Sequence, residues 1–586
     1  MNKKIAIVLT GTTALSVGIL FPTNAAEFRS MDGTNNNVNN TTVGSVGSNL
    51  IRLSGVAYDD GLSIPRGGLN SSVLPSPRAI SNAIAAQSVS IPNASKVTDW
   101  VWQWGQFLDH DLSLSPIGTE EPFNIPFNIA VPSGDPDFDP FNTGTQEISL
   151  NRSIYDNSIG TDLPRQQINE ITAYIDASNI YGSDNDRINL LRTNDGTGKL
   201  IADTANNGEK LLMLNRVGLP NDTGGDPDAA NYFVSGDIRA NEQIGLLATH
   251  SLFMREHNRI ADDLKTRLDN GETALVNKWQ ESGLSEGDFI FESSRKVVGA
   301  QMQVITYNQW LPVVLGETAL DNYSGYNDQI DAGIATEFSS AAFRFGHTML
   351  SPELLRVDNN GKIVTSLSLR DSFFNSDDVL ENGIDTLLMG LASQQAQELD
   401  TFLIDDVRNF LFGPPGAGGF DLASLNLQRG RDHGIPDINT VRLALELTPY
   451  NTFLELTGGD LDLATAFASV YNDINEVDLW IAGLGEKKVN RGLLGETFSR
   501  IVIDQFTRSR DGDRFFYLND LDHLNILDPT LETVTLSEII RRNSTIQTIQ
   551  DNAFLMPSVP EPDTKLGLLM LVLLSLIGCR FRGGNP

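Results

Sequence analysis

One cysteine, Cys579, occurs in 586 residues. This excludes an intrachain disulfide framework, and equally a cysteine-ligated metal, an iron–sulfur cluster or a CxxCH attachment site built within one chain. Histidine is scarce too, at six, so each one merits scrutiny. Positive charge is the third shortage: 42 Lys and Arg stand against 75 Asp and Glu, a formal net charge of -33. So acidic a surface repels nucleic acid and anionic membranes and favours solubility and cation binding. Nucleic acid is therefore not expected as a partner. No fixed-period repeat is present. The 40% hydrophobic content is ordinary for a globular protein, and the length permits a sizeable core. Redox chemistry in such a chain has to use a bound cofactor rather than thiols.

The long apolar runs are confined to the two ends. Lys3 and Lys4, an apolar stretch over 5–21 and the small residues around Ala25 and Ala26 have the three parts of a secretory signal, so residues 1–25 are expected to direct export and the protein to be secreted or held at the cell surface. Near the other end Pro560, Glu561 and Pro562 precede an apolar run over 566–578, closed by Arg580 and Arg582. The run is short of the roughly 20 residues a stable span needs. It resembles the bacterial Pro-Glu-Pro sorting signal, which is read and removed by sorting machinery; transient or short membrane anchoring is the alternative. Between the ends, 26–50 is rich in Gly, Asn and Ser and reads as an extended arm. Residues 51–553 are expected to form one domain, with 554–586 as linker and tail. Apolar residues at 3–4 spacing over 97–108, 245–264, 289–311, 385–412 and 492–506 predict helices, and strand-like alternation is scarce. The expected fold class is mainly α, a single large helical domain with long loops and few short strands.

Four segments carry chemistry. In the run from Trp104 to Leu112, a helix places Gln106, Asp109 and His110 at i, i+3 and i+4 on one face. A histidine near its ordinary pKa can take a proton from hydrogen peroxide and return it to the departing oxygen. Arg239 and Glu242 stand i, i+3 at the start of a long helix, and an arginine there can stabilise developing negative charge. His347 lies in what reads as an apolar helix over 343–350, after Arg344, suited to an axial haem ligand whose second ring nitrogen Asn426 could orient, with Arg429 as a propionate counter-ion. Thr172, Asp176 and Ser178 offer side-chain oxygens and Tyr174 a carbonyl; with Asp111 they suit calcium, which takes six to eight hard ligands. Taken singly, each segment also has a plain structural reading: a satisfied histidine, a solvated ion pair, a core histidine, a strand.

Taken together and in this order, the segments resemble the animal (mammalian-type) haem peroxidase family, the myeloperoxidase, lactoperoxidase and peroxidasin group. Further runs starting at Tyr58, Leu74, Met254, Arg295, Gly383 and Arg510 look like family signatures, so the resemblance covers about 28–520. It implies a haem-dependent peroxidase in which Gln106 and His110 form the distal pair with Arg239, and His347 is the proximal ligand supported by Asn426. Asp109 and Glu242 match acids that join haem b through ester bonds, Arg344 and Arg429 match residues near the propionates, and Asp111, Thr172, Tyr174, Asp176 and Ser178 match calcium ligands. Gln243 stands where some members have a haem-bonded methionine, which points to bromide, iodide, thiocyanate or organic donors over chloride. Two other functions compete. A fatty-acid dioxygenase of the cyclooxygenase-related branch needs a tyrosine three residues before the proximal histidine, where this chain has Arg344. A non-catalytic adhesion protein would not need His110, Arg239 and His347 together.

Overall fold

The computed structural model describes residues 28–69, 73–160 and 162–557. The expected signal segment, the Pro-Glu-Pro tail and Cys579 lie outside these residues. Helices dominate, and the sheets are small and antiparallel: Ile129–Ala130 with Glu147–Ile148, the three-stranded set Ala202–Thr204, Lys210–Leu214 and Phe233–Val234, and Glu353–Val357 with Ile363–Ser368. The mainly α expectation holds. Among the described residues no helix is long and apolar enough to cross a membrane.

The centre of the fold is helix α1, Trp100–Leu112. It is buried nearly all round, polar face included, as suits a helix surrounded by others rather than one lying on a surface. Its two fully buried indoles, Trp100 and Trp104, each find an acceptor for the N–H. Trp100 donates to the Leu388 carbonyl at 3.1 Å and Trp104 to Thr306 Oγ1 at 3.2 Å. Trp310 donates back into α1, to the Val101 carbonyl at 2.9 Å. Against α1 packs helix α2, Ile244–Asp269, with Phe107 and Phe253 stacked at 5.2 Å between ring centroids and Trp104 and Phe253 at 5.7 Å. Helix α3, Glu286–Ile305, is capped by Ser285 Oγ and runs into a π-helical turn over Thr306–Trp310, so the apolar run through residue 311 is one rod with a widened turn. Helices α4, Leu422–Asp432, and α5, Glu496–Asp511, complete the frame.

Two expectations about helices are corrected. The run over 385–412 is helical only at Asp385–Ser393 and again at Asp405–Arg408. Between them the backbone bonds to other segments: Ala396 N–H to Val97 O at 3.0 Å, Gln397 N–H to Met349 O at 3.0 Å and Leu403 N–H to Ala85 O at 2.9 Å. Tertiary pairing there overrides a helical apolar pattern. His347 also sits not in an α-helix but in a 3₁₀ segment, Ala342–Thr348, entered through Ala341 at φ -138° and ψ -72°. The arm read as extended is packed down: Asn36 is buried, donating to Asp513 Oδ1 at 2.8 Å, while Arg29 donates to Asp513 Oδ2 at 2.8 Å.

Truncating Phe107, which touches both α2 and the His250 ring, removes the contact that seats α1. Phe107→Ala is expected to destabilise the fold by about 3–5 kcal/mol, read as a lowered denaturant midpoint at unchanged m-value.

Candidate active site

Helix α1 ends with His110 in its last turn, and the chain turns extended at Ser113. His110 is almost fully buried, with Nε2 3.9 Å from Glu242 Oε2 and Nδ1 3.7 Å from Asp237 Oδ1. Burial, and then the neighbouring Arg239 cation, push its pKa well below the ordinary 6.5, so the ring is neutral at neutral pH. Arg239 is held as a fork: its Nε and Nη2 donate to the two oxygens of Asp237 at 2.9 and 2.8 Å, and Nη2 also reaches the Ser113 carbonyl at 3.1 Å. Against the cost of burial, the Arg239 charge and the hydrogen bonds Arg239 donates keep the Asp237 carboxyl ionised, well below the usual carboxylate range. Asp109 comes within 3.7 Å of Arg239 Nη1 and accepts from Ser113 Oγ at 3.0 Å. Burial raises the pKa of both remaining acids, Glu242 to about 7, with Asp222 and Asp109 adding to the rise and Arg239 opposing it. Their side chains still keep 33% and 28% exposure for Asp109 and Glu242, so both border an open cleft.

Arg344 links this group to the 3₁₀ segment. Burial brings its pKa down to about 10, opposed by the Asp109 charge and reinforced by the cations Arg429 and Arg239. Arg344 Nη1 donates to Asn426 Oδ1 at 3.0 Å, and the Asn426 amide meets His347 Nδ1 at 2.8 Å from α4, 79 residues away in sequence. Burial and Arg344 lower the His347 pKa to about 3, partly offset by the Asn426 bond. No described residue hydrogen-bonds His347 Nε2. An axial imidazole donates Nδ1–H and ligates through Nε2, so these residues fit a haem iron on this side with the Asn426 amide turned to face His347 Nδ1 with Oδ1 instead of Nδ2. Arg429 is placed less simply: its Nη1 is committed to Asp432 Oδ2 at 2.9 Å, Ser153 Oγ at 2.9 Å and the Asn151 carbonyl at 3.1 Å.

The oxygen-bearing loop closes onto α1. Ser178 Oγ donates to Asp111 Oδ1 at 2.7 Å, the N–H groups of Asp176 and Ala177 both reach Asp111 Oδ2 at 3.1 Å, and Thr172 Oγ1 lies 3.1 Å from each oxygen of Asp176. All of these residues are buried. Burial and the facing Asp176 charge raise Asp111 to about 7. Two buried carboxylates ringed by hydroxyls, with Tyr174 in the same loop, are a donor set that fits a hard divalent cation. The Tyr174 hydroxyl itself donates outward to the Val43 carbonyl at 2.7 Å.

The structure thus brings together Gln106, Asp109, His110, Arg239 and Glu242 on one side, and Arg344, His347 and Asn426 on the other. Sequence reasoning missed Asp237, which neither helical periodicity nor a known metal spacing marks. The available signal was the pair Asp237 and Arg239, opposite charges two apart just before a helix start. Its position depends on Gly236: a Cβ there would meet Ser178 O at 2.2 Å, Gly182 N at 2.3 Å and Tyr181 N at 2.5 Å, all backbone. Gly236→Ala is expected to cost about 1–3 kcal/mol by forcing that loop off the 178–182 backbone. Gly55→Ala, with nothing within 4 Å of its Cβ, is the control and stays within about 0.5 kcal/mol in the same melting experiment.

Comparison with known proteins gives one picture. The profile described as Animal haem peroxidase matches residues 28–554. Peroxinectin A of Dictyostelium discoideum is 34% identical over 548 residues, covering 91% of this chain and 96% of that protein. Peroxidasin of Drosophila melanogaster is 34% identical over 532 residues, but the match spans only 34% of its length. Among solved structures, Peroxidase A from Dictyostelium discoideum superposes with a TM-score of 0.81 at 32% identity, covering 91% of this chain and all of that one. A fatty acid alpha-dioxygenase of Arabidopsis thaliana reaches a TM-score of 0.70 at 20% identity, a likeness of fold alone.

Proposed function

Since the chain belongs to the animal haem peroxidase family and is a haem-dependent peroxidase, we propose that His110 and Arg239 are its peroxide-activating pair and His347 its axial ligand. The observation that carries this reading is the buried His110 held beside an Arg239 that Asp237 clamps by both oxygens. Haem held between these residues would supply the redox-active iron and the oxidising capacity toward the donor. The chain's own residues move the protons and set the field. His110 Nε2, unprotonated, accepts a proton from peroxide and delivers it to the leaving oxygen. Arg239 places fixed positive charge where negative charge builds as the O–O bond breaks. Asp237, on the Nδ1 side of His110, favours the tautomer with Nδ1–H, which keeps the Nε2 lone pair toward the cleft. Asn426 fixes the ring plane of His347.

Covalent attachment of haem b through Asp109 and Glu242 is supported by their shared cleft and by the burial that disfavours charge on both, since an ester removes that charge. Calcium at Asp111, Thr172, Tyr174, Asp176 and Ser178 would relieve the repulsion between Asp111 and Asp176 and tie the loop to the turn that carries His110. Halides such as bromide, iodide and thiocyanate, or organic donors, are the proposed reductants of the hydrogen peroxide reaction, and export to the cell exterior its setting. The dioxygenase alternative finds Arg344, tied to Asn426, where its tyrosine is needed.

His110→Ala is expected to slow the reaction with peroxide by about 10²–10⁴-fold, measured by stopped flow on haem-loaded protein with the Soret band retained; an unchanged rate would sink the assignment. A protonated His110 cannot act as base, so the rate falls as pH drops through its folded pKa. Because that pKa lies well below 6.5, the step that His110→Ala removes should lie below pH 6.5. Acid–acetone extraction should leave haem on the wild type after peroxide treatment and release it from the Asp109→Asn, Glu242→Gln double variant. Removing calcium with a chelator should lower the melting temperature, and Asp176→Ala should abolish that sensitivity.

A further inference from the structure

The first backbone N–H groups of a helix lack partners within the helix. At the start of α2, Gln243 meets one of them: its Oε1 accepts from the Gly245 N–H at 2.6 Å. A backbone N–H can only donate, so no half-turn of the Gln243 amide satisfies this contact. With the oxygen committed, the Nε2 group has to face away from the helix start. Its donors go to Gln103 Oε1 at 2.6 Å and to Gln106 Oε1 at 3.1 Å. The three amides are packed closely. Gln103 and Gln243 are both buried, and a Cβ on Gly245 would lie 2.7 Å from Gln103 Oε1 and 2.9 Å from Gln243 Oε1.

This chain of polarity ends at Gln106. Its oxygen is occupied, and its Nε2 makes no hydrogen bond to any described residue while lying on the face of α1 that carries Asp109 and His110. We propose that Gln243 is a positioning and specificity-determining residue: by locking the Gln106 amide it makes that side chain a donor toward the cleft, and so favours a small anion of the halide or pseudohalide class there. The inference rests on the reading above that this cleft holds the haem.

The test uses the ferric, haem-loaded protein and fluoride as probe, followed by its optical perturbation at constant pH. Gln243→Glu keeps an oxygen for the Gly245 N–H but replaces the donating nitrogen with an acceptor, so Gln106 has to turn its nitrogen toward residue 243 and its oxygen toward the cleft. Fluoride Kd is expected to rise about tenfold or more, the scale of one hydrogen bond to a charged group. A new carboxylate also repels an anion directly, so the same substitution is made with Gln106→Leu. There Q243E should change Kd by less than about threefold; an equal rise in both backgrounds overturns the proposal. Gln243→Ser, with a capping oxygen and no amide, frees Gln106 and should weaken fluoride by a smaller factor than Q243E, and no change in either variant also overturns it. If Gln106→Leu alone leaves fluoride binding as in the wild type, Gln106 does not border the haem, and it is the reading of the site that fails.

Discussion

A buried carboxylate with two neighbours of different kinds organises the pocket. Asp237, 3% exposed, receives both forks of Arg239 and faces the Nδ1 edge of His110, while its own N–H donates to the Asn179 carbonyl at 2.9 Å. Leaving Arg239 buried without this partner would cost several kcal/mol, so the ion pair and the base are held as one unit. The unit is rigid because its supports are backbone: Gly236 touches the 178–182 segment too closely for any side chain, and that segment also holds Asp111. The oxygen-rich loop, the distal residues and the end of α1 therefore share one support.

The other side of the cleft is built differently. His347 sits on a short 3₁₀ segment whose geometry depends on neighbours rather than on helical propensity. Asn426 from α4 meets its ring, Arg344 meets Asn426, and Trp480 donates to the Arg344 carbonyl at 3.4 Å. Gly346 packs against Trp102 of α1, so both sides of the pocket lean on the same central helix. Without disulfides, this core and the ion pairs around it replace covalent staples. Arg78 shows the pattern: fully buried, it donates to Asp135 at 2.7 Å and to Asp421, the cap of α4, at 2.8 Å.

Much of this was legible in the sequence, and the reasons differ by element. Gln106, Asp109 and His110 were placed on one face by 3.6-residue geometry alone, which needs no partner. The helix expected over 245–264 from apolar spacing forms as Ile244–Asp269, because that spacing supplies its buried face. The run over 385–412 misled because its apolar spacing is helical while its backbone groups find partners in residues 85–97 and 349. The arm over 28–50 misled because Gly, Asn and Ser read as extended, yet Asn side chains such as Asn36 can be buried when each polar atom finds a partner.

What the sequence by itself determined is the inventory: no thiol chemistry, an acidic surface, one polar helical face with a titratable histidine, and a set of segments whose order matches a haem peroxidase. What only the tertiary structure decided is partnership. Asn426 with His347, Asp111 with Ser178 and Asp237 with His110 are joined across 79, 67 and 127 positions. Local periodicity fixes which way a side chain points along its own element, but contacts between distant elements depend on how whole helices pack, and that information is spread over the core rather than written beside either residue.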